Sequence, residues 1–318
     1  MSVKTVSSQA DAVNPLGYEK EGKLLVGFAI PCIISMLVTS LYNIVDQIFI
    51  GQGIGYLGNA ATTIAFQIVT IILAMSTLLG AGGSAYAAIK LGEKKEEDAE
   101  KTLGTVFILT LISSAVVMVL GFMFMTPMLK IFSATVNTID YARQYTSIIL
   151  IDTPFNMLSV VLSNMSRTDG SPALSMYALL VGAILNTILD PIYIFVFHWG
   201  VSGAAIATIT SQIISAVVLV VYFLKKGKNM RLRRKTFRLD SEICARALPL
   251  GISSGITQVA STILQVVMNN SLVYYGNQTT VGGDAALSAM GIVNKISMIL
   301  ISICIGIGIG SQPILGFN

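Results

Sequence analysis

Eight long apolar runs separated by short polar or glycine-rich connectors organise this chain. They are Leu24–Ile50, Asn59–Leu91, Thr102–Thr126, Tyr141–Met165, Ala173–Phe197, Gly203–Leu224, Ile243–Asn270 and Ala285–Leu315. A bilayer core about 30 Å thick is crossed by about 20 apolar helical residues, and every run is long enough. Backbone polar groups in lipid need partners within a helix or a closed barrel. Barrel strands are about ten residues long and alternate apolar with polar. These runs are longer and do not alternate. The pattern therefore predicts an all-α membrane protein, a polytopic bundle of spanning helices.

Composition agrees. The 318 residues are 54% hydrophobic and 11% charged, with a mean hydropathy of +0.77. Soluble domains carry about 25% charged residues, so a normal water-facing surface is out of reach. A net charge of +4 is too small and too scattered for a nucleic-acid footprint. Cys32, Cys244 and Cys304 sit singly, without disulfide or metal spacing. One histidine, His198, excludes a zinc site of several imidazoles. No HExxH motif points to an enzyme. Residues 1–23 are polar and the first run is too long for a signal-peptide core, so helix 1 is expected to persist.

Lys and Arg set the expected orientation. With the N-terminus in the cytoplasm, all of them except Lys130, Arg143 and Lys295 fall on the inner side. This count places Arg167 in the connection between helices 4 and 5. The basic run Lys225 to Arg238 reads as a solvated cytoplasmic linker against anionic headgroups. Tyr193, Phe195, Phe197 and Trp199 then mark the outer interface. The expected location is the cell membrane.

A weak repeat divides the chain. Ala29-Ile30-Pro31 recurs as Ala247-Leu248-Pro249. Helix 2 closes on Gly80-Ala81-Gly82-Gly83-Ser84, and helix 8 on Gly306-Ile307-Gly308-Ile309-Gly310-Ser311. Six helices separate the copies, an even number, so the repeat is parallel. The expected organisation is a cytoplasmic segment (1–23), a six-helix N-terminal lobe (24–224), a basic linker (225–242) and the first two helices of a pseudo-symmetric second lobe (243–318). A protein of twelve helices, cut after eight, is the expectation.

Carboxylates inside spanning helices cost about 2.5–3.5 kcal/mol on insertion scales and call for a functional reading. Helix 1 carries Asn43 and Asp46, helix 4 Asp152 and Asn156, helix 5 Asn186 and Asp190, helix 6 Thr208, and helix 8 Lys295. At 1.5 Å per residue, Asp46, Asp190 and Thr208 fall about 6–11 Å below the outer end. Asn186 and Asp190, four apart, share a helix face, as do Asn43 and Asp46, three apart. The set is expected to line one polar pocket where a proton or Na⁺ neutralises two nearby carboxylates. Pro191 frees a carbonyl beside Asp190. Asp152 lies nearer the middle of the membrane, and Asn43, Asn156 and Lys295 complete the candidate polar groups. Lys295 pairs with a carboxylate or snorkels to the interface.

Pro31 with Leu41-Tyr42-Asn43-Ile44-Val45-Asp46 resembles helix 1 of the multidrug and toxic compound extrusion family. Asn186-Thr187-Ile188-Leu189-Asp190-Pro191-Ile192-Tyr193 resembles its helix 5, Gly200 to Thr208 its helix 6 entry, and Asn164 to Gly170 the turn after helix 4. The resemblance implies a twelve-helix exporter of organic cations and other drugs, driven by H⁺ or Na⁺, with no cofactor. It implies a cation site at Asp46, Asn186, Asp190 and Thr208, and a bend of helix 1 at Pro31. Leu264 stands in helix 7 where helix 1 has Asp46. A lipid-linked oligosaccharide flippase of the same superfamily is the alternative, although only Arg143 and Lys295 offer the cationic lining such proteins use. A non-transporting fragment is the other.

Overall fold

The computed structural model describes residues 21–132, 138–276, 278–279 and 283–317. These residues form eight helices: α1 (Glu21–Ile54), α2 (Tyr56–Gly92), α3 (Glu96–Ile131), α4 (Ile139–Thr168), α5 (Pro172–Pro191), α6 (Gly200–Lys225), α7 (Ser241–Gly276) and α8 (Gly283–Phe317). All eight are long and apolar enough to cross a membrane. Most run past their apolar core. Helix α3 begins at Glu96, with Glu96, Glu97 and Asp98 in its first turn, where acidic side chains oppose the positive end of the helix dipole.

Helix α4 is the hub of the first six, packing on α2, α3, α5 and α6. Its carboxyl end closes on Gly170, whose φ of +77° suits a residue without Cβ. The Gly170 N–H bonds the Arg167 carbonyl at 3.0 Å and the Ser171 N–H bonds that of Ser166 at 2.9 Å. This two-bond cap satisfies carbonyls that the helix end leaves open. The turn aims Asp169 back at the segment after α6.

The last two helices sit across the first two, α7 on α2 and α8 on α1. Small residues let the backbones touch, as they do where helices meet in lipid. A Cβ on Gly82 would stand 2.3 Å from the Ala247 carbonyl oxygen, and one on Gly251 would stand 1.9 Å from that of Leu78. On the other pair, a Cβ on Gly310 would stand 2.8 Å from Ala29 Cα. Ala29 and Ala247, matching positions of the repeat, thus each meet a glycine of the other copy. The α2–α7 and α1–α8 pairs therefore pack alike, each through a glycine against an alanine.

Two sequence expectations are corrected. Arg167 does not lie in a connection between helices. It is the last-turn residue of α4, 3% exposed, and donates to Asn164 Oδ1 at 2.9 Å and Ser163 Oγ at 3.2 Å. The helix runs one turn past the apolar stretch, and that turn rotates the guanidinium inward. The basic linker is corrected only in part: its described Lys and Arg side chains from Lys225 to Arg238 are exposed, but its backbone is held. Met230 and Leu232 are buried, because three consecutive backbone N–H groups, those of Lys228, Asn229 and Met230, donate to the Asp169 carboxylate.

Candidate functional site

We call the end of the bundle that carries Lys90, Lys94 and the linker the basic end. The candidate site lies toward the other end, where α1, α4, α5 and α6 converge. Helix α5 stops at Pro191, which has no N–H for the ladder. A π-helical turn, Ile192–Val196, follows, and its Phe197 N–H reaches back five residues to the Ile192 carbonyl. Wide turns of this kind recur at functional positions. Ile194 packs on Gly53 at the end of α1, and Phe49 meets Phe195 edge-on. These contacts bring the last turns of α1 and α5 together. The rings of Tyr193, Phe197 and Trp199 stack at this end, centroids 5.2–5.9 Å apart.

Asp190 is fully buried and Asn186 is 2% exposed. The Asn186 amide donates to Asp190 Oδ1 and to Thr208 Oγ1, both at 3.4 Å. Thr208 spends its own proton on the Ala204 carbonyl at 3.1 Å, so its oxygen accepts from Asn186. Asp46 of α1 meets Asp190 carboxyl to carboxyl. Asp46 Oδ1, Asp190 Oδ2 and Asn186 Oδ1 are buried without a hydrogen-bond partner. The four residues singled out in the sequence are therefore brought together, held by long bonds, with three oxygens open.

A cavity of about 270 Å³ opens beside the cluster, toward the basic end. Asn186 and Thr208 form its floor, Asn43 and Asn156 its polar walls, and Met298 of α8 reaches its rim. Asp46 and Asp190 do not line it. The Asn186–Thr208 pair stands between carboxylates and cavity.

The MatE family model matches residues 31–192, more than half of the chain. The chain belongs to the MatE family. It is 27% identical over 300 residues to the multidrug export protein MepA of Staphylococcus haemolyticus. It is 25% identical over 296 residues to MepA of Staphylococcus aureus (strain MRSA252). Each match covers 93% of this chain and 64% of the relative's length, so the chain spans just under two thirds of these proteins. Among solved structures, the MATE multidrug transporter DinF-BH superposes with a TM-score of 0.87 at 31% identity, covering 95% of this chain and 66% of that one. An outward-facing multidrug resistance MATE family transporter of the MOP superfamily superposes with a TM-score of 0.88 at 25% identity, with the same coverage. The MatE chain is thus a transporter-family membrane protein, not an enzyme.

The remaining candidates of this MatE chain fall in three places. Asn43 lines the cavity and donates to the Thr39 carbonyl at 2.7 Å. Pro31 lies inside a continuous α1, its carbonyl taking the Ser35 hydroxyl at 2.7 Å. Asp152 is 1% exposed on α4, apart from the cluster. The side chain of Lys295 lies outside the described residues. Two tyrosines escaped the sequence reading. Tyr145 of α4 reaches Thr208, and Tyr42 of α1 lies within electrostatic reach of Asp46, Asp152 and Asp190. Tyr42 sits four residues before Asp46, one turn along the same face, and that spacing was a usable signal. Tyr145 had none comparable.

Proposed function

We propose that this chain carries the cation-coupling lobe of a multidrug exporter, which trades H⁺ or Na⁺ for an organic cation or related drug by alternating access. The observation that carries the reading is the Asp46–Asp190 carboxyl contact with unpartnered oxygens. Two ionised carboxylates in contact inside a low-dielectric bundle repel strongly, so the pair favours a shared proton or a Na⁺ between them. Asn186 Oδ1 and Thr208 Oγ1 supply two more hard oxygen donors for such an ion. Its relatives in Staphylococcus are multidrug export proteins, which supports a drug as cargo.

In this reading residues 24–224 form the coupling lobe, 225–242 the linker and 243–318 part of a second lobe. The basic end faces the cytoplasm of a cell whose plasma membrane holds the protein. The cation enters from outside. Its binding tightens Asp46 onto Asp190 and bends α1 near Pro31. The cavity narrows as α1 moves, and the drug leaves. No cofactor takes part.

The test is efflux of a fluorescent organic cation from proteoliposomes under an imposed pH gradient, then an imposed Na⁺ gradient. One gradient drives efflux, and Asp46→Asn and Asp190→Asn each abolish it without lowering the yield of folded protein. Wild-type efflux by both variants overturns the proposal.

A further inference from the structure

Helix α4 carries a second feature that the coupling cluster does not use. Tyr145, Ile149, Asp152, Asn156, Ser159, Ser163 and Arg167 follow one another at steps of three or four residues. At 3.6 residues per turn, such a series keeps to one narrow face of the helix. All but Ile149 are polar, and all but Asn156 are at most 8% exposed. The track begins beside Thr208, which Tyr145 reaches. It passes the cavity at Asn156 and Ser159 and continues through Ser163, hydrogen-bonded to Ser175. It ends on Arg167 at the basic end.

Asp152 is the carboxylate on this track, and both of its oxygens lack a hydrogen-bond partner. Burying an ionised carboxylate with no partner is among the most costly arrangements a fold can hold, and such a group normally takes up a neutralising cation. Among the described residues, no cationic side chain faces it. Helix α2 offers no titratable residue between Tyr56 and Tyr86, α3 none between Lys101 and Lys130, and α6 none before Tyr222. On α5 the buried titratable group is Asp190, and α1 carries Asp46 and Tyr42, of which Tyr42 lies within electrostatic reach of Asp152. On α8 the side chains of Asp284 and Lys295 lie outside the described residues, and the Cys304 thiol is exposed. Tyr42 lies within electrostatic reach of both Asp152 and the Asp46–Asp190 pair.

We propose that Asp152 is a second proton-binding site of the lobe, on the α4 track and separate from the Asp46–Asp190 pair. The proton is the occupant that fits. A single carboxyl is neutralised by one proton, whereas a metal ion needs several converging oxygens, and among the described residues no other carboxylate meets it. In the exporter reading, Asp152 accepts a proton on the way from the outer pair to the basic end. That use rests on the reading above, but the binding does not.

The binding is measured directly by infrared difference spectroscopy of the purified protein in lipid through a pH titration, with exchange into D₂O. The readout is the C=O stretch of protonated carboxylic acids. Asp152→Asn removes one component of that band, while the double variant Asp46→Asn/Asp190→Asn retains it. Asp152→Glu, which keeps a carboxyl in place if the amide fails to fold, moves the component in frequency. Survival of the whole band in Asp152→Asn, an unmoved band in Asp152→Glu, or loss of the Asp152 component on adding Na⁺ at constant pH overturns the proposal. None of these readings needs transport. A protein that exports no drug yet shows the band sinks the exporter reading and leaves the proton site standing.

Discussion

Asp169 and Asp190 are both fully buried aspartates, one at each end of α5, and their surroundings are opposite. Asp169 accepts from the Tyr222 hydroxyl at 2.7 Å and from the N–H groups of Lys228, Asn229 and Met230 at 2.7–2.8 Å. Burial pushes its carboxyl above the ordinary range, and these four donors offset only part of that rise. Asp190 has one donor at 3.4 Å, a second carboxyl against it and an open oxygen. Short, saturated bonds describe a clamp that fixes chain geometry. Long, unsaturated ones leave oxygens with spare capacity, which the coupling proposal uses. Burial of an acidic residue says only that it matters; the count and length of its bonds say for what.

The strongest way to break this comparison is Asp169→Ala. It strips the partner from several buried donors at once, each costing about 1–3 kcal/mol when left unpaired. A total loss of about 3 kcal/mol is expected, read as a large fall in the thermal midpoint of the purified protein, with the linker becoming sensitive to protease. A midpoint close to wild type would mean that the clamp holds nothing.

Next comes Tyr222→Phe. It removes one of the four donors and leaves the ring packed edge-on against Phe223. About 1 kcal/mol is expected, the usual net worth of one hydrogen bond. An effect as large as that of Asp169→Ala would show that the hydroxyl, rather than the backbone, carries the clamp.

Asp190→Asn should reverse the sign of the comparison. It removes a repulsive contact and keeps a side chain of the same shape, so the thermal midpoint holds or rises, by up to about 1 kcal/mol of stability. Efflux is lost all the same. A fall matching that of Asp169→Ala would make Asp190 a structural residue and dissolve the contrast.

How much of this contrast could be read from the sequence depends on direction along or around a helix. Spans and depth follow from hydropathy and rise per residue, so the eight helices and the grouping of Asp46, Asn186, Asp190 and Thr208 were legible. Rotation of one helix against its neighbours was not. Arg167 looked like a loop charge because the apolar stretch of helix 4 stops short of it, and only packing shows the guanidinium turned inward. The clamp on Asp169 was hidden for a different reason. Its partners are mostly backbone N–H groups about 60 residues away, and any residue but proline supplies those. The π turn after Pro191 was legible only as a break. Asp152 was noticed for its depth, but its lack of partners is a property of the helices around it.

The smallest expected effect comes from an acidic residue that faces water. Glu93 accepts from Lys90 at 2.9 Å and Lys95 at 2.8 Å at the turn between α2 and α3, and those bonds hold its carboxyl down at about 2. A lowered value in the fold means that the ionised form is favoured there. Its contribution is therefore complete above the unfolded value, about 4.3, and fades as pH falls from there toward 2. Exposed ion pairs contribute little, so Glu93→Gln should lower the thermal midpoint at neutral pH by less than Tyr222→Phe does. The gap between Glu93→Gln and wild type should close as the pH is lowered through that window, and shrink in high salt. A gap that stays constant with pH would assign the effect to the side chain's shape rather than its charge. It would also show that satisfied bonds at this end hold the chain without help from ionisation.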